Sequence, residues 1–305
     1  MTKRLTVLLG AAFLAVPMAA QELDPRTYSP SPVGTTITVG GLGRSQGGFI
    51  LDPSLGIDNV EADLWFMTTG FGYVFDLGGR QARVLAVFPI AWGDISGEVG
   101  RETQRQDLEG LSDPRFKLSV GLAGAPALTL DELARAPRRT VVGASLTVVP
   151  PWGQYDSAQL VNLGNNRWAF KPEIGVSRPA GRFTVEGYAG VWLFTTNDAY
   201  FPGRAERRQD PVISLQGHVG YSLPKRVWLA FDGTWFSGGQ TEVDGVPNPD
   251  RQDNIRLGGT LSLPVTRRQS LKLVYSHGTT TRRGSDYNTF NVIWQAVRFG
   301  KERRP

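Results

Sequence analysis

His277 has the best claim to chemistry in this sequence. Read along a strand it shares a face with Tyr275 and Thr279, so a hydroxyl stands two residues from an imidazole. A lipid hydrolase working from the wall of a barrel would use such a pair, the histidine taking the proton of the nucleophile. Threonine is a weak nucleophile without further activation, however. No acidic residue is fixed beside His277, although Asn288 or Asn291 on the following strand could come within reach. An ordinary histidine at an interface accounts for the pattern, and no catalytic residue is assigned.

The remaining constellations are weaker. Asp244, Asn248, Asp250 and Asp253 offer oxygen ligands for Ca²⁺, but their spacing is irregular. Gly41-Leu42-Gly43 with Gly47 lacks the following helix that a dinucleotide fingerprint needs. Arginine pairs at 138–139, 207–208, 267–268 and 282–283 fall in connections on both edges, so they form no single basic face and nucleic acid is not an expected partner. The absence of cysteine excludes disulfide frameworks, thiolate metal sites and a cysteine nucleophile. No metal and no cofactor are assigned.

The elements that would carry these residues are strands. From about residue 30 onward apolar and polar residues alternate with a period of two. Ile255, Leu257, Gly259, Leu261 and Leu263 oppose Arg256, Gly258, Thr260 and Ser262. Phe183, Val185, Ala189, Val191 and Leu193 oppose Thr184, Glu186 and Tyr188 in the same way. About twelve segments of this kind are expected, near 33–42, 60–76, 81–96, 111–122, 140–149, 167–178, 182–195, 211–223, 227–241, 253–264, 270–280 and 287–299. Their connections alternate between tight turns and longer polar loops at 43–59, 97–110, 150–166, 196–210, 242–252 and 281–286. One short-side connection departs from this: Thr129-Leu130-Asp131-Glu132 fits a capping box, so a short helix is expected near 129–136.

Alternation alone suits a soluble sandwich as well as a barrel. Strand lengths of roughly 10–16 residues favour the barrel, since ~9–11 residues cross a bilayer at a tilt and soluble strands are commonly ~5–6. Short turns on one edge and long loops on the other point the same way. The fold expected is an all-β antiparallel transmembrane β-barrel of about 12 strands with short periplasmic turns and long extracellular loops. Trp65, Trp92, Trp168, Trp192 and Trp235 fall toward the long-loop ends and are expected to form an aromatic girdle.

The first twenty residues read as an address. Lys3 and Arg4 precede the apolar run Leu5–Val16, and Ala19-Ala20 follow it. This is the form of a cleaved secretory signal peptide, leaving residues 21–305 as the barrel domain. Its removal takes the net charge from +5 to 5 − 2 = +3. Export into the outer membrane of a Gram-negative cell follows, with outer-membrane lipid and the barrel-insertion machinery as partners.

Two stretches resemble a known family, the outer-membrane proteins of the phenol-degradation meta-pathway, often labelled transporters. Gly110-Leu111-Ser112-Asp113-Pro114-Arg115 is similar to that family's G-x-x-D segment leading into a strand. Val148-Val149-Pro150-Pro151-Trp152-Gly153-Gln154-Tyr155-Asp156, followed by Asn162-Leu163-Gly164-Asn165-Asn166-Arg167-Trp168, resembles its proline–glycine loop and N-G-N-N-W strand start. The layout matches over about 33–299. Pro151-Trp152 stands where the family usually has threonine or another small residue. The chain also runs on past Phe299 instead of stopping at the final aromatic. The resemblance implies an outer-membrane barrel that takes up small hydrophobic or aromatic compounds.

The polar faces would line the lumen with Arg83, Arg115, Lys117, Arg167, Lys171, Arg256 and Lys272, against Asp63, Glu173, Glu186 and Asp232. The excess is 7 − 4 = 3 positive charges, which would favour anions in a wet pore. The function expected is passive passage of small molecules, possible alternatives being a non-transporting structural or adhesive barrel and a lipid hydrolase.

Overall fold

The computed structural model describes residues 14–15, 23–50, 57–99, 102–281 and 284–300. Twelve strands form the wall: β1 (Thr36–Ile50), β2 (Ile57–Leu77), β3 (Arg80–Val99), β4 (Arg115–Ala123), β5 (Val141–Val149), β6 (Ala169–Ala180), β7 (Phe183–Phe194), β8 (Val212–Ser222), β9 (Trp228–Gly238), β10 (Gln252–Pro264), β11 (Gln269–Thr280) and β12 (Gly284–Arg298). Each pairs antiparallel with its sequence neighbour, and β12 pairs with β1 from Gly284↔Ile50 to Arg298↔Thr36, closing the sheet. Closure leaves no unpaired edge, which is what a sheet in hydrocarbon requires.

The two faces of this wall differ as the alternation demands. Ile174 and Val176 of β6, Val185 and Leu193 of β7, Ile213, Leu215 and Val219 of β8 and Phe231 of β9 are exposed. Lys171, Glu173, Ser177, Glu186, Ser214, His218 and Asp232 on the same strands are buried. An apolar band running around the outside would be an aggregation surface in water; in lipid each large side chain is stabilised by roughly 1.5–3 kcal/mol. The polar residues face inward. No helix among the described residues is long and apolar enough to cross a membrane.

One edge has tight connections. Gly78-Gly79, both at positive φ, join β2 to β3 with Leu77 paired to Arg80; two successive left-handed residues match the twist of a hairpin. On the same edge, between β4 and β5, lies α1 (Leu130–Arg135), whose capping box is complete: Glu132 N donates to the Thr129 hydroxyl and Thr129 N to the Glu132 carboxylate.

The opposite edge differs from the sequence reading in two places. The segments expected as loops at 43–59 and 97–110 are largely strand. β1 runs on to Ile50, and Glu102–Leu111 continues the hairpin with β3 from Ile90↔Leu111 to Val99↔Glu102. Glycines at 40, 41, 43, 47 and 48 hide the period of β1, because they carry no side chain to alternate. Residues 102–107 are polar on both faces, so no alternation marks them as strand. On this edge Asn197–Tyr200, Ala205–Gln209, Thr241–Val243 and Val246–Pro247 also combine into a small four-stranded sheet. Of the expected leader, residues 1–20, only Leu14–Ala15 are described, in a parallel bridge to Val161–Asn162.

Candidate functional site

The candidate site is the lumen. Of the eleven residues expected to line it, Arg83, Arg115, Lys117, Arg167, Lys171, Glu173, Glu186, Asp232, Arg256 and Lys272 lie on inward faces or at the inner end of a strand. Asp63 does not. On β2 the inward set is Val60, Ala62, Leu64 and Phe66, so Asp63 shares the outer face with Trp65 and binds Arg44 from Nε to Oδ1 at 2.8 Å. The wide loop assumed at 43–59 concealed Arg44 as its partner. The girdle needs a similar correction. Trp65, Trp92 and Trp168 are exposed on the outside, and Trp235 lies on the outer face of β9, donating its indole N–H to Asp253. Trp192, only 3% exposed, points into the lumen; it falls on the same side of β7 as Thr184, Glu186 and Tyr188, an even-numbered phase visible in the sequence.

Inside, each carboxylate holds at least one partner, although Glu186 Oε1 is buried without one among the described residues. Glu173 receives Lys171 Nζ at 2.8 Å, Lys117 Nζ at 3.4 Å and the Tyr28 hydroxyl at 3.1 Å. Asp232 pairs with His218 Nδ1 at 2.7 Å and accepts from the Thr260 hydroxyl at 2.8 Å. Glu186 accepts the backbone N–H of Arg26 at 2.6 Å. Several cations meet neutral groups instead: Arg256 Nη1 donates to Ser276 and to the Tyr287 carbonyl, and Lys272 lies 5.9 Å over Trp228. With Asp63 outside, the lining residues named above are seven cations and three carboxylates, an excess of 7 − 3 = 4.

Residues 23–32, which carry no periodicity, cross this lumen. Ser31 N donates to Gln81 on β3, the Thr27 carbonyl accepts from Arg83, the Arg26 guanidinium reaches Ser222 on β8 and covers Trp228 on β9 at 4.2 Å, and Leu23 lies against Gly258 on β10. Tyr28 lies on Gly143 and Gly175, directly paired on β5 and β6. A Cβ on either glycine would come within 2.2 or 2.3 Å of its ring, so the platform works only with glycine. Burial pushes the Tyr28 hydroxyl above its usual range, and the nearby Glu173 adds to the shift.

Asp113 organises the outer end. Its carboxylate accepts Gly153 N at 2.8 Å, Asn165 N at 2.8 Å and Asn165 Nδ2 at 2.9 Å. Gly153 and Gly164 meet backbone to backbone beside it, and Gln154 N donates to the Leu111 carbonyl. The segment 150–168 is thereby drawn inward, where Val161 and Leu163 pack against Ala62, Leu64, Ile95 and Leu108. The two stretches singled out in the sequence are thus one physical unit.

Beside this unit a second apolar cluster faces inward: Val149, Ala169, Trp192, Val212 and Phe236, with Phe194 packed on them. They wall an open-mouthed cavity with Asp113, Arg167 and Gln209 among its polar residues. Trp192 and Phe194 stack with ring centres 6.4 Å apart. Arg167 lies 4.4 Å over Phe194 and donates from Nη2 to Gln209. Burial holds the Arg167 guanidinium well below its usual range; Arg207 acts in the same direction and Asp113 opposes it.

Elsewhere, His277 faces outward. Its Nδ1 lies 2.9 Å from Asn288 Oδ1, whereas the Thr279 hydroxyl donates to the Ile255 carbonyl. The hydroxyl is therefore not held for the imidazole. The loop oxygens are separately engaged: Asp250 takes Thr241, Asp244 takes Glu206 N and Asp253 takes Trp235. Arg282–Arg283 lie outside the described residues. Sequence reasoning missed Arg26, Tyr28, His218 and the inward aromatics. The phase of their strands would have found His218, Trp192 and Phe236; nothing local marks the others.

A family model described as "Putative MetA-pathway of phenol degradation" matches residues 40–293. None of the curated proteins compared matches the chain. Among solved structures, an outer membrane channel from Pseudomonas putida F1 superposes with a TM-score of 0.75 at 20% identity, covering 91% of this chain and 100% of that one. The β domain of the Bordetella autotransporter BrkA gives 0.50 at 11% identity, covering 87% and 99%. These likenesses show the fold of outer-membrane barrels.

Proposed function

Since the chain belongs to the family described by that phenol-degradation model, we propose that it is an outer-membrane channel for passive passage of small solutes, hydrophobic or aromatic molecules among them. The observation that carries this reading is the cation excess on the inward faces. A packed barrel of purely structural role would balance its buried charges, since an unpaired buried charge is costly. Here Glu173 is shared by two lysines, while Arg256 hydrogen-bonds neutral groups and Lys272 lies over Trp228, with Asp286 and Asp24 acting on them through space and without a direct ion pair. Such groups are better accommodated where water and passing anions reach them. Segments 23–32 and 150–168 narrow the path from its two ends, so only small solutes would pass.

A second reading, a non-transporting barrel, draws on the same crossing segment, which restricts the lumen on one side. Liposome swelling separates the two. Purified protein in vesicles should admit small solutes such as glycine or benzoate and exclude large oligosaccharides; absence of swelling with every solute would favour the structural barrel.

A further inference from the structure

The apolar cavity poses a problem that a general channel does not explain. Channel walls are polar, yet Trp192, Phe236, Val212 and Val149 turn apolar side chains inward at one level. Arg167 Nη1, at the edge of this patch, is buried and finds no hydrogen-bond partner among the described residues. The Asp113 carboxylate, an opposite charge acting on Arg167, is already occupied by three N–H donors. A buried guanidinium stays protonated, and leaving one of its donors unmade there is destabilising. An apolar wall with one unsatisfied cationic donor is complementary to one kind of molecule.

We propose that this cavity is a binding subsite for a small aromatic carboxylate, its ring packed among Trp192, Phe194 and Phe236 and its carboxylate accepting from Arg167 Nη1. The inference rests on the channel reading and narrows it to an anionic aromatic solute. Stacked rings at 6.4 Å with nearly parallel planes offer a flat face, and Arg207, buried above Tyr200, adds positive potential without a competing free carboxylate from Asp113. A neutral phenol would fill the apolar wall but leave the charge unanswered. An aliphatic acid would answer the charge and leave the wall bare.

Calorimetric titration of the detergent-purified, full-length protein with benzoate, benzyl alcohol and acetate tests this. Benzoate should bind at least tenfold more tightly than either of the others, and Arg167→Gln should reduce benzoate to the level of benzyl alcohol, with Arg167→Lys recovering part of the loss. Equal binding of benzoate and benzyl alcohol by the unmodified protein would overturn the proposal, and that comparison needs no variant to fold. Benzoate binding unchanged in a folded Arg167→Gln would overturn it too. Vesicle flux separates the two readings: flux without selective benzoate binding removes the subsite and leaves the channel, and selective binding without flux keeps the subsite and removes the channel.

Discussion

Asp113 joins backbone positions 40 and 52 residues away, taking three N–H donors with one side chain. Hydrogen bonds to a charged group contribute about 1.5–3 kcal/mol each. Asp113→Ala is therefore expected to release segment 150–168, lowering the temperature of the heat-modifiable gel shift and raising both conductance and protease cleavage within the segment. An unchanged melting temperature and conductance would show that the apolar contacts of Val161 and Leu163 hold the loop without it. Tyr28 gives a second residue-scale test. Gly175→Ala would place a Cβ 2.3 Å from its ring, so the crossing segment must shift. Larger single-channel steps are the expected outcome; steps of normal size would mean that Tyr28 does not bound the path. At this scale the sequence was partly legible. Alternation assigns Glu173 or Asp232 to the inner face at once. Asp63 and Trp192 escape a reading by residue type, because a carboxylate lies on the outer face and an indole on the inner one, and Tyr28 escapes because its platform is two glycines on separate strands.

Among the elements, the helix α1 has the clearest pH response. Hydrogen bonds from the Thr129 backbone and hydroxyl hold the Glu132 carboxyl below its ordinary range. A group depressed in the folded state contributes stability above its unfolded pKa and loses it as pH falls through the folded value. Amide exchange in 130–135, corrected for intrinsic rates, should therefore be slower at pH 6 than at pH 3, and Glu132→Gln should flatten the difference. Protection in the unmodified chain that is the same at both pH values would contradict the capping role. Strands in lipid were legible because lipid and lumen demand opposite side chains at successive positions. The extension of β1 and the hairpin segment 102–111 were not, since glycine has no side chain and residues 102–107 are polar at every position. The capping box was legible because its chemistry is local.

For the molecule as a whole, the proposed function makes the lumen a narrow, positively charged path. It is bounded at the periplasmic end by residues 23–32 and at the outer end by 150–168, inside a closed twelve-stranded wall. Closure could be inferred from rhythm and length, because an open sheet edge is excluded in hydrocarbon. The contents of the lumen could not, because they depend on contacts between residues more than a hundred apart, such as Tyr28 with Glu173. The charge of that path is the property that separates a conducting lumen from a packed one. It is read most directly as the zero-current potential of the purified protein in a planar bilayer under a tenfold KCl gradient. Measurable conductance is expected, with a potential of the sign given by chloride preference, weakened in Lys117→Gln and Arg115→Gln. A potential of the cation-selective sign, or no conductance at all, would contradict it.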